Sequence, residues 1–479
     1  MFGSPSEFGS QVPMIIPALI DLILISAIGF TGILATRLLW RDASGIELLS
    51  LSFPLGSGIL TWLFFVSGWA GLAFTRVAVF ITWALICSLM IVVHSWNRNQ
   101  APVDDFTARF FPRSTGWGQF DILAVVLMGI ALLIWLFISI GRSYSVYDGI
   151  AMWAPKGYGI AMERSLWGAR WGNHGYSYPF HIHFLIALFR LFSGDLLPGS
   201  KAIFPLFYFS LLLGVYAYWM KKDVSPPLRL GGILVLMTVP TFFTFSTIGY
   251  PNLPMASYLT LAVLVGLVGM SEGKPGKQVL SGLLFGFTVW TVIEGMLYVG
   301  VVMVVILAVQ LRFKDGKLNL VAWILPALLV GGIWYIFFRV HGAGGSQALD
   351  AGSRMLEAWR GGDWRLSDAR LILGYARRNI FDPQTWGLVF PLGIIMLLSG
   401  WRALNPGRFH HEFTLLIVTG ITASLSLALF YLRSFFIPGL YELLERGFPR
   451  GFISPAIFLF VLAVAVSNRM LIPQDDHRK

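Results

Sequence analysis

Residues 147–164 read YDGIAMWAPKGYGIAMER and bring Asp148, Lys156, Glu163 and Arg164 together directly after an apolar stretch ends. On a helix, Asp148, Met152 and Lys156 share one face, with Trp153 beside them. A carboxylate at the mouth of a membrane helix can take a proton as a general base or hold a metal, and an ammonium near it can hold a phosphate. Both groups also have plain structural roles open to them, Asp148 as a helix N-cap and Lys156 as a cation snorkelling at the interface. Glu294 interrupts an apolar run between two long hydrophobic segments, where an acidic side chain is costly and is read as functional by default. His174, His181 and His183 invite a zinc reading, but no fourth ligand accompanies them. About 200° separates His181 from His183 around a helix, so at most one of the two faces a site and the other is a polar residue at headgroup level. His174 lies in the loop itself and is the better substrate contact.

The elements that must position these residues are membrane helices. The chain has 479 residues, 56% hydrophobic and only 12% charged, with mean hydropathy +0.72. A soluble domain carries roughly twice that charged fraction. Apolar segments fall near 13–36, 48–71, 76–93, 121–141, 201–220, 230–249, 253–270, 278–294, 297–312, 319–339, 384–400, 412–435 and 451–468. Each run of 18 or more residues can cross a hydrocarbon layer of about 30 Å, which predicts an all-α polytopic membrane protein of about thirteen spans. The net charge of +11 belongs to cytoplasmic loops rather than to nucleic-acid binding, since no basic run is interleaved with aromatics. The single cysteine, Cys87, excludes an intramolecular disulfide. The first twelve residues, rich in Gly and Ser, lack the basic start and cleavage site of a signal peptide.

Charge orients the spans. Arg37, Arg41, Arg98, Arg109, Arg113, Lys221, Lys222, Arg229, Lys274, Lys277, Arg312, Lys314, Lys317, Arg402, Arg408 and the tail from Arg469 to Lys479 fall on one side, predicting a cytoplasmic C-terminus. The fifteen-residue segment 178–192 is expected to lie in the outer interface as an amphipathic helix, because counting it as a span would invert every later loop. The outer loops are then 142–200, 249–254, 340–383 and 436–450. Within the largest, residues 368–381 have helical spacing and predict a short surface helix.

Several pieces, in this order and on this one side, resemble the GT-C-type membrane glycosyltransferases that draw sugars from polyprenyl-phosphate carriers, the superfamily of the protein mannosyltransferases and aminoarabinose transferases. The pieces are YDGIAMWAPKGYGI, NHGYSYPFHIHFLIALFRLFSGD, GYPNLPMASYLTLAVLV, SGLLFGFTVWTVIEGMLYV and RGFPRGFISPAIFLFVLA; with their spans they cover roughly 121–468. The resemblance implies that Asp148 is the catalytic base, or orients the acceptor. It also implies that Arg446 and Arg450 occupy the family's basic position before a late core span, where they share with Lys156 the task of meeting the lipid phosphate. Interfacial snorkelling is the other reading of these two arginines. Trp153, His174, Tyr178, Tyr250 and Glu294 complete the expected substrate contacts, Tyr250 offering a ring face for sugar stacking. One position departs from the family: Asn252 stands where a second acid is common. An amide orients a substrate but cannot act as a base, and Asp148 with Asn252 supplies little carboxylate for a divalent cation, so no obligatory metal is expected.

The sequence thus predicts a three-span extension at 1–120, a GT-C-like core at 121–340 with outer loops 142–200 and 249–254, a large outer loop at 341–383, and C-terminal spans with a tail at 384–479. The expected function is inverting transfer of a sugar from a polyprenyl-phosphate carrier to a lipid, glycan or protein acceptor, at the extracytoplasmic face of a bacterial-type plasma membrane. A transporter or lipid flippase is the rival. It calls for polar groups at mid-membrane and an internal repeat, whereas the ionisable groups here concentrate in outer loops.

Overall fold

The computed structural model describes residues 15–98, 118–142, 144, 148–171, 178–194, 198–313, 317–341, 347–400, 410–435 and 439–471. His174, Arg109, Arg113, Lys314, Arg402, Arg408 and the basic tail 472–479 lie outside the described residues. The first four long helices are α1 (Ile15–Leu39), α2 (Gly45–Trp69), α3 (Arg76–Arg98) and α4 (Gln119–Gly141). The shorter α5 (Ala154–Glu163) and α6 (His181–Ser193) follow, then α7 (Ile203–Lys221), α8 (Pro226–Met237), α9 (Pro240–Thr247) and α10 (Asn252–Glu272). Next come α11 (Pro275–Thr291), α12 (Glu294–Phe313), α13 (Leu320–His341), α14 (Gln347–Arg360) and α15 (Leu366–Asn379). The chain closes with α16 (Pro383–Trp386), α17 (Val389–Ser399), α18 (His410–Ser434), α19 (Leu440–Gly451) and α20 (Ile453–Leu471).

Ten helices are long and apolar enough to cross a membrane, or eleven with the bent pair α8–α9, among the described residues. Three expected spans differ in form. Residues 230–249 break at Pro240 into α8 and α9, bent by 59°, because proline cannot donate to the preceding turn and pushes the residue before it out of the helical region. Residues 278–294 form a helix of 17 residues that ends at Thr291, where Val292 turns extended. Residues 384–400 divide at Gly387, whose φ of 55° ends α16, and leave the eleven-residue α17. The surface helix expected within 368–381 is present as α15.

The centre is α10, buried from Leu253 to Met270, with α7, α11 and α20 packed around it and α2 hydrogen-bonded to it through Tyr258. The N-terminal helices are built into this core. α1 lies along α2 with backbones touching at Gly32 and Gly56, where any Cβ would collide with a facing carbonyl. α2 in turn packs against α6 and α7. Ser44 and Glu47 start α2 with a reciprocal capping box, Ser44 N–H donating to Glu47 Oε2 at 2.7 Å. The other Glu47 oxygen accepts from Lys221 Nζ at the end of α7, at 3.3 Å. Lys221, Lys274 and Lys277 meet around Glu272 at the end of α10 opposite Asn252, so basic residues assigned to a common side by the sequence do gather at one end of the bundle. α3 is the outlying helix, with Val77, Phe80, Ile81, Leu85 and Leu89 exposed, as a helix facing lipid requires.

Candidate functional site

The other end of α10 opens into a cleft. Seven of the residues singled out in the sequence line it: Asp148, Trp153, Tyr178, Tyr250, Asn252, Glu294 and Arg450. They come from five segments spread over some three hundred positions, and local structure explains how each arrives. After Asp148 the chain makes a π-helical turn, Gly149–Trp153, closed by the Ala154 N–H on the Gly149 carbonyl. Pro155 is the physical cause, since it lacks an N–H and its ring crowds the carbonyl four residues back, which the wider turn accommodates. Gly249 has φ +83°, and a Cβ there would run into the Tyr144 ring, so glycine alone allows the bend that delivers Tyr250. Asn252 and Glu294 are the first residues of α10 and α12, and the Glu294 carboxylate suits the positive end of its helix.

Three of these side chains form a relay. Arg450 Nη1 donates to Tyr250 Oη at 2.5 Å, and Tyr250 Oη donates to Asp148 Oδ2. Arg450 also lies 3.5 Å from that same carboxylate oxygen. Asp148 Oδ1 accepts no hydrogen bond from the described residues, so one oxygen of a fixed carboxylate remains open to a proton. Burial pushes the Tyr250 hydroxyl well above its ordinary range, with Asp148 adding to the effect, so it stays a donor. A second ion pair sits across the cleft: Arg433 Nη2 donates to Glu294 Oε1 at 2.5 Å. Tyr298 and Ser426, hydrogen-bonded at 2.7 Å, complete that wall.

Lys156 departs from its expected place. The π-turn rotates everything after it relative to an uninterrupted α-helix, so Lys156 leaves the face of Asp148 and does not line the cleft. It is fully buried rather than snorkelling, with Nζ 5.5 Å from the centre of the Tyr178 ring and no hydrogen bond among the described residues. Burial alone brings its ammonium down to about 7. Trp153 lies between, its ring edge-on to Tyr178 at 5.6 Å and tilted against His183 at 4.9 Å. His183 Nδ1 is 3.0 Å from the Pro179 carbonyl, which can only accept; the proton therefore sits on Nδ1. Burial, then the Lys156 charge, hold this imidazole well below its ordinary range and keep it neutral. Lys156 Nζ, His183 Nε2, Trp153 Nε1 and Glu294 Oε2 are thus four buried polar atoms lacking hydrogen bonds among the described residues, all on residues in or beneath one cleft. Buried polar groups are almost always paired, so such a concentration marks a place where binding can be gained.

Other expectations need correction. The segment 178–192 is short of a span, as expected, but it is packed inside the protein rather than exposed as an amphipathic helix. It forms α6, thirteen residues or about 20 Å long, buried from His181 to Phe189 against α2 and α5. His181 is a core residue, with Nδ1 2.7 Å from Thr61 Oγ1 and Nε2 3.1 Å from Tyr258 Oη. Arg446 is exposed one turn before Arg450 and does not line the cleft. His174 lies outside the described residues. Sequence reasoning missed Arg433, Tyr298 and Ser426. The available signal was an arginine at the end of the apolar α18. Among the described residues no three His, Cys, Asp or Glu side chains group to hold a metal. Comparison of the chain with protein-family models, with curated proteins and with solved structures gives no match.

Proposed function

We propose that the chain is an integral-membrane glycosyltransferase of GT-C type, moving a sugar with inversion from a polyprenyl-phosphate carrier to an extracytoplasmic acceptor. The observation that carries this reading is the Arg450–Tyr250–Asp148 relay, which holds one carboxylate oxygen and leaves the other open in a cleft that also carries Arg433. In the reaction, Asp148 Oδ1 accepts the proton of the acceptor hydroxyl as its oxygen bonds to C1 of the sugar. The bond from C1 to the phosphate oxygen breaks, and the lipid phosphate leaves with the electron pair. Arg450 and Arg433 stabilise the charge that builds on that phosphate. The Tyr178 and Tyr250 rings offer stacking faces for the sugar, and Asn252 and the Glu294 carboxylate hydrogen-bond partners for its hydroxyls. A carrier lipid explains why such a cleft sits at the end of a helix bundle whose outer surface is apolar.

Purified protein incubated with radiolabelled polyprenyl-phosphate sugars tests the reading. We expect Asp148→Asn to lower turnover by 100-fold or more, on the scale of a lost general base at about 10²–10⁴, with donor binding little changed. Arg450→Lys should instead weaken donor binding by roughly 1–3 kcal/mol, the range for a hydrogen bond to a charged group. Full turnover by Asp148→Asn removes the residue from the base role. A lipid flippase is the second reading, favoured by the 59° break between α8 and α9, since transporters build their sites from interrupted helices. Sugar transfer in detergent, where nothing can be flipped, separates the two.

A further inference from the structure

α14 and α15 are each fourteen residues long, too short to span, and they pack beside the cleft. α14 lies on α18, and α15 on both α18 and α19, the two helices that bring Arg433 and Arg450 to the cleft. The attachment is specific. Arg365, between the two helices, takes a left-handed backbone with φ 41°, which side chains other than glycine rarely adopt. There its Nη1 donates to the Ser434 carbonyl, and its guanidinium lies 4.7 Å from the centre of the Phe435 ring. Tyr431 Oη donates to the Trp364 carbonyl, and Trp359 stacks on Trp364 at 5.2 Å. On α15 the buried Tyr375 meets Tyr441 at 5.9 Å and Phe448 at 5.4 Å, both edge-on. Arg433 adjoins Ser434, and Arg450 follows Phe448 by two positions, so this hairpin grips both cleft arginines through their neighbours.

We infer that α15 is an in-plane membrane anchor, with Leu366 and Leu373 seated in the lipid of the leaflet at the cleft end, and that this seat fixes the cleft wall made by α18 and α19. The inward face of α15 is already covered, since Ile372, Tyr375 and Ala376 are buried. On the other face Leu366 is 64% exposed and Leu373 59%. They are seven residues apart, two helical turns, and point the same way, with the exposed Arg370 and Arg377 on that face too. Leucines interleaved with arginines fit the headgroup boundary. There a leucine reaches the acyl chains, while an arginine stem lies along apolar surface with its charge among the phosphates.

Continuity names lipid as the occupant. α15 ends at Asn379 and α16 begins at Pro383, so the chain cannot carry α15 far from the bundle. Beyond that link Leu388 and Ile395 repeat the exposed two-turn spacing at the start of α17 and within it, an apolar helix packed on α20. Exposed apolar residues thus continue from α15 through Phe381 into a helix of the bundle itself. A soluble saccharide could stack on Trp364, but it has no use for Leu366 and Leu373. None of this depends on the glycosyltransferase reading.

The first measurement places α15. In a Cys87→Ser background, Leu366→Cys, Leu373→Cys and, as a control, Glu357→Cys on the polar face of α14 each carry an environment-sensitive fluorophore, with the full chain in phosphatidylcholine liposomes. The labels on α15 should emit as in an apolar medium. A lipid spin-labelled near its headgroup should quench them more than one labelled at its chain end, as a depth of about 5–10 Å requires. The control label should stay water-like and be quenched by iodide. Three results would overturn the inference: water-like emission from both α15 labels, whether or not a soluble oligosaccharide shields them; strongest quenching from the chain end; or shielding that fades as the chain is diluted in excess lipid, the mark of a second copy. The second measurement tests the grip by amide exchange in nanodiscs. Leu366→Gln combined with Leu373→Gln removes the lipid contact but keeps good helix formers on an exposed face. Exchange should quicken several-fold at the end of α18 and along α19, while α10 exchanges as in the wild type. Unchanged exchange in α18 and α19 overturns the coupling of the lipid seat to the cleft wall.

Discussion

Replacing Lys156 with methionine probes the buried ammonium directly. Methionine preserves the apolar volume and most of the length, so packing changes little while the charge disappears. The amine falls from its ordinary 10.5 to about 7 with burial as its cause. At about 1.4 kcal/mol per tenfold, keeping it charged in the fold costs on the order of 5 kcal/mol. The pH window follows from this direction. Below about pH 7 both the folded and the unfolded chain carry the proton, and the fold bears the whole cost. Between 7 and 10.5 the folded amine is neutral while the unfolded one is still charged, so the burden shrinks as pH rises and ends above 10.5. Wild-type stability should climb across that window, and Lys156→Met should lack the slope. At pH 6.5 we expect the variant to be more stable by about 2–4 kcal/mol, as when buried charges give way to apolar side chains. By pH 10 the gap should close to about 1 kcal/mol. The assay is a denaturation midpoint of the purified protein in one neutral detergent at pH 6.5, 8 and 10. Parallel pH profiles for the two proteins, or a variant less stable at pH 6.5, refute the isolation of Lys156. A phosphate-bearing ligand that reaches the ammonium should raise its pKa and flatten the wild-type slope, which would connect the stored cost to binding.

The Glu294–Arg433 pair should behave as a unit. Glu294→Gln and Arg433→Gln should each destabilise by about 1–3 kcal/mol, below the cost of breaking a fully buried pair because both side chains are 22% exposed, and the double variant should recover more than half of the sum; additive losses would show that the pair is not coupled. For sidedness, in a Cys87→Ser background, Gly361→Cys beside α14 should react with a membrane-impermeant thiol reagent on intact cells, and Lys317→Cys near the far end of α10 only after permeabilisation. The reverse pattern would turn the cleft toward the cytoplasm.

Much of the fold was legible because hydropathy is a one-dimensional signal: α1, α2, α7, α10 and α12 fall within a few residues of the apolar runs. The differences arise where a backbone rule overrides composition. Pro240 breaks a run that hydropathy reads as continuous, and Gly387 does the same before α17. The burial of α6 was not legible, for another reason. Two histidines on a short apolar helix read as amphipathic, but Thr61 and Tyr258, which satisfy His181, lie 120 and 77 positions away. Burial of a polar side chain depends on such remote partners, and a local pattern cannot supply them.

The cleft shows the same division at the scale of single residues. Asp148, Glu294 and Arg450 were legible because an ionisable group at the end of an apolar run is costly wherever it points. Their relations were not. Arg433 reads alone as a cation closing a span, and only the fold sets it against Glu294, 139 positions earlier. Lys156 illustrates the limit most sharply, since helical periodicity placed it on the face of Asp148 and one widened turn removed it. The cause, Pro155, was visible in the sequence; what could not be read there was whether the chain would answer it by kinking, by ending the helix, or by a π-turn. The choice made matters for chemistry. It leaves Asp148 beside Tyr250 and Arg450 with one oxygen open, and it turns the amine inward beneath Tyr178, where its charge is worth most to a phosphate that can reach it.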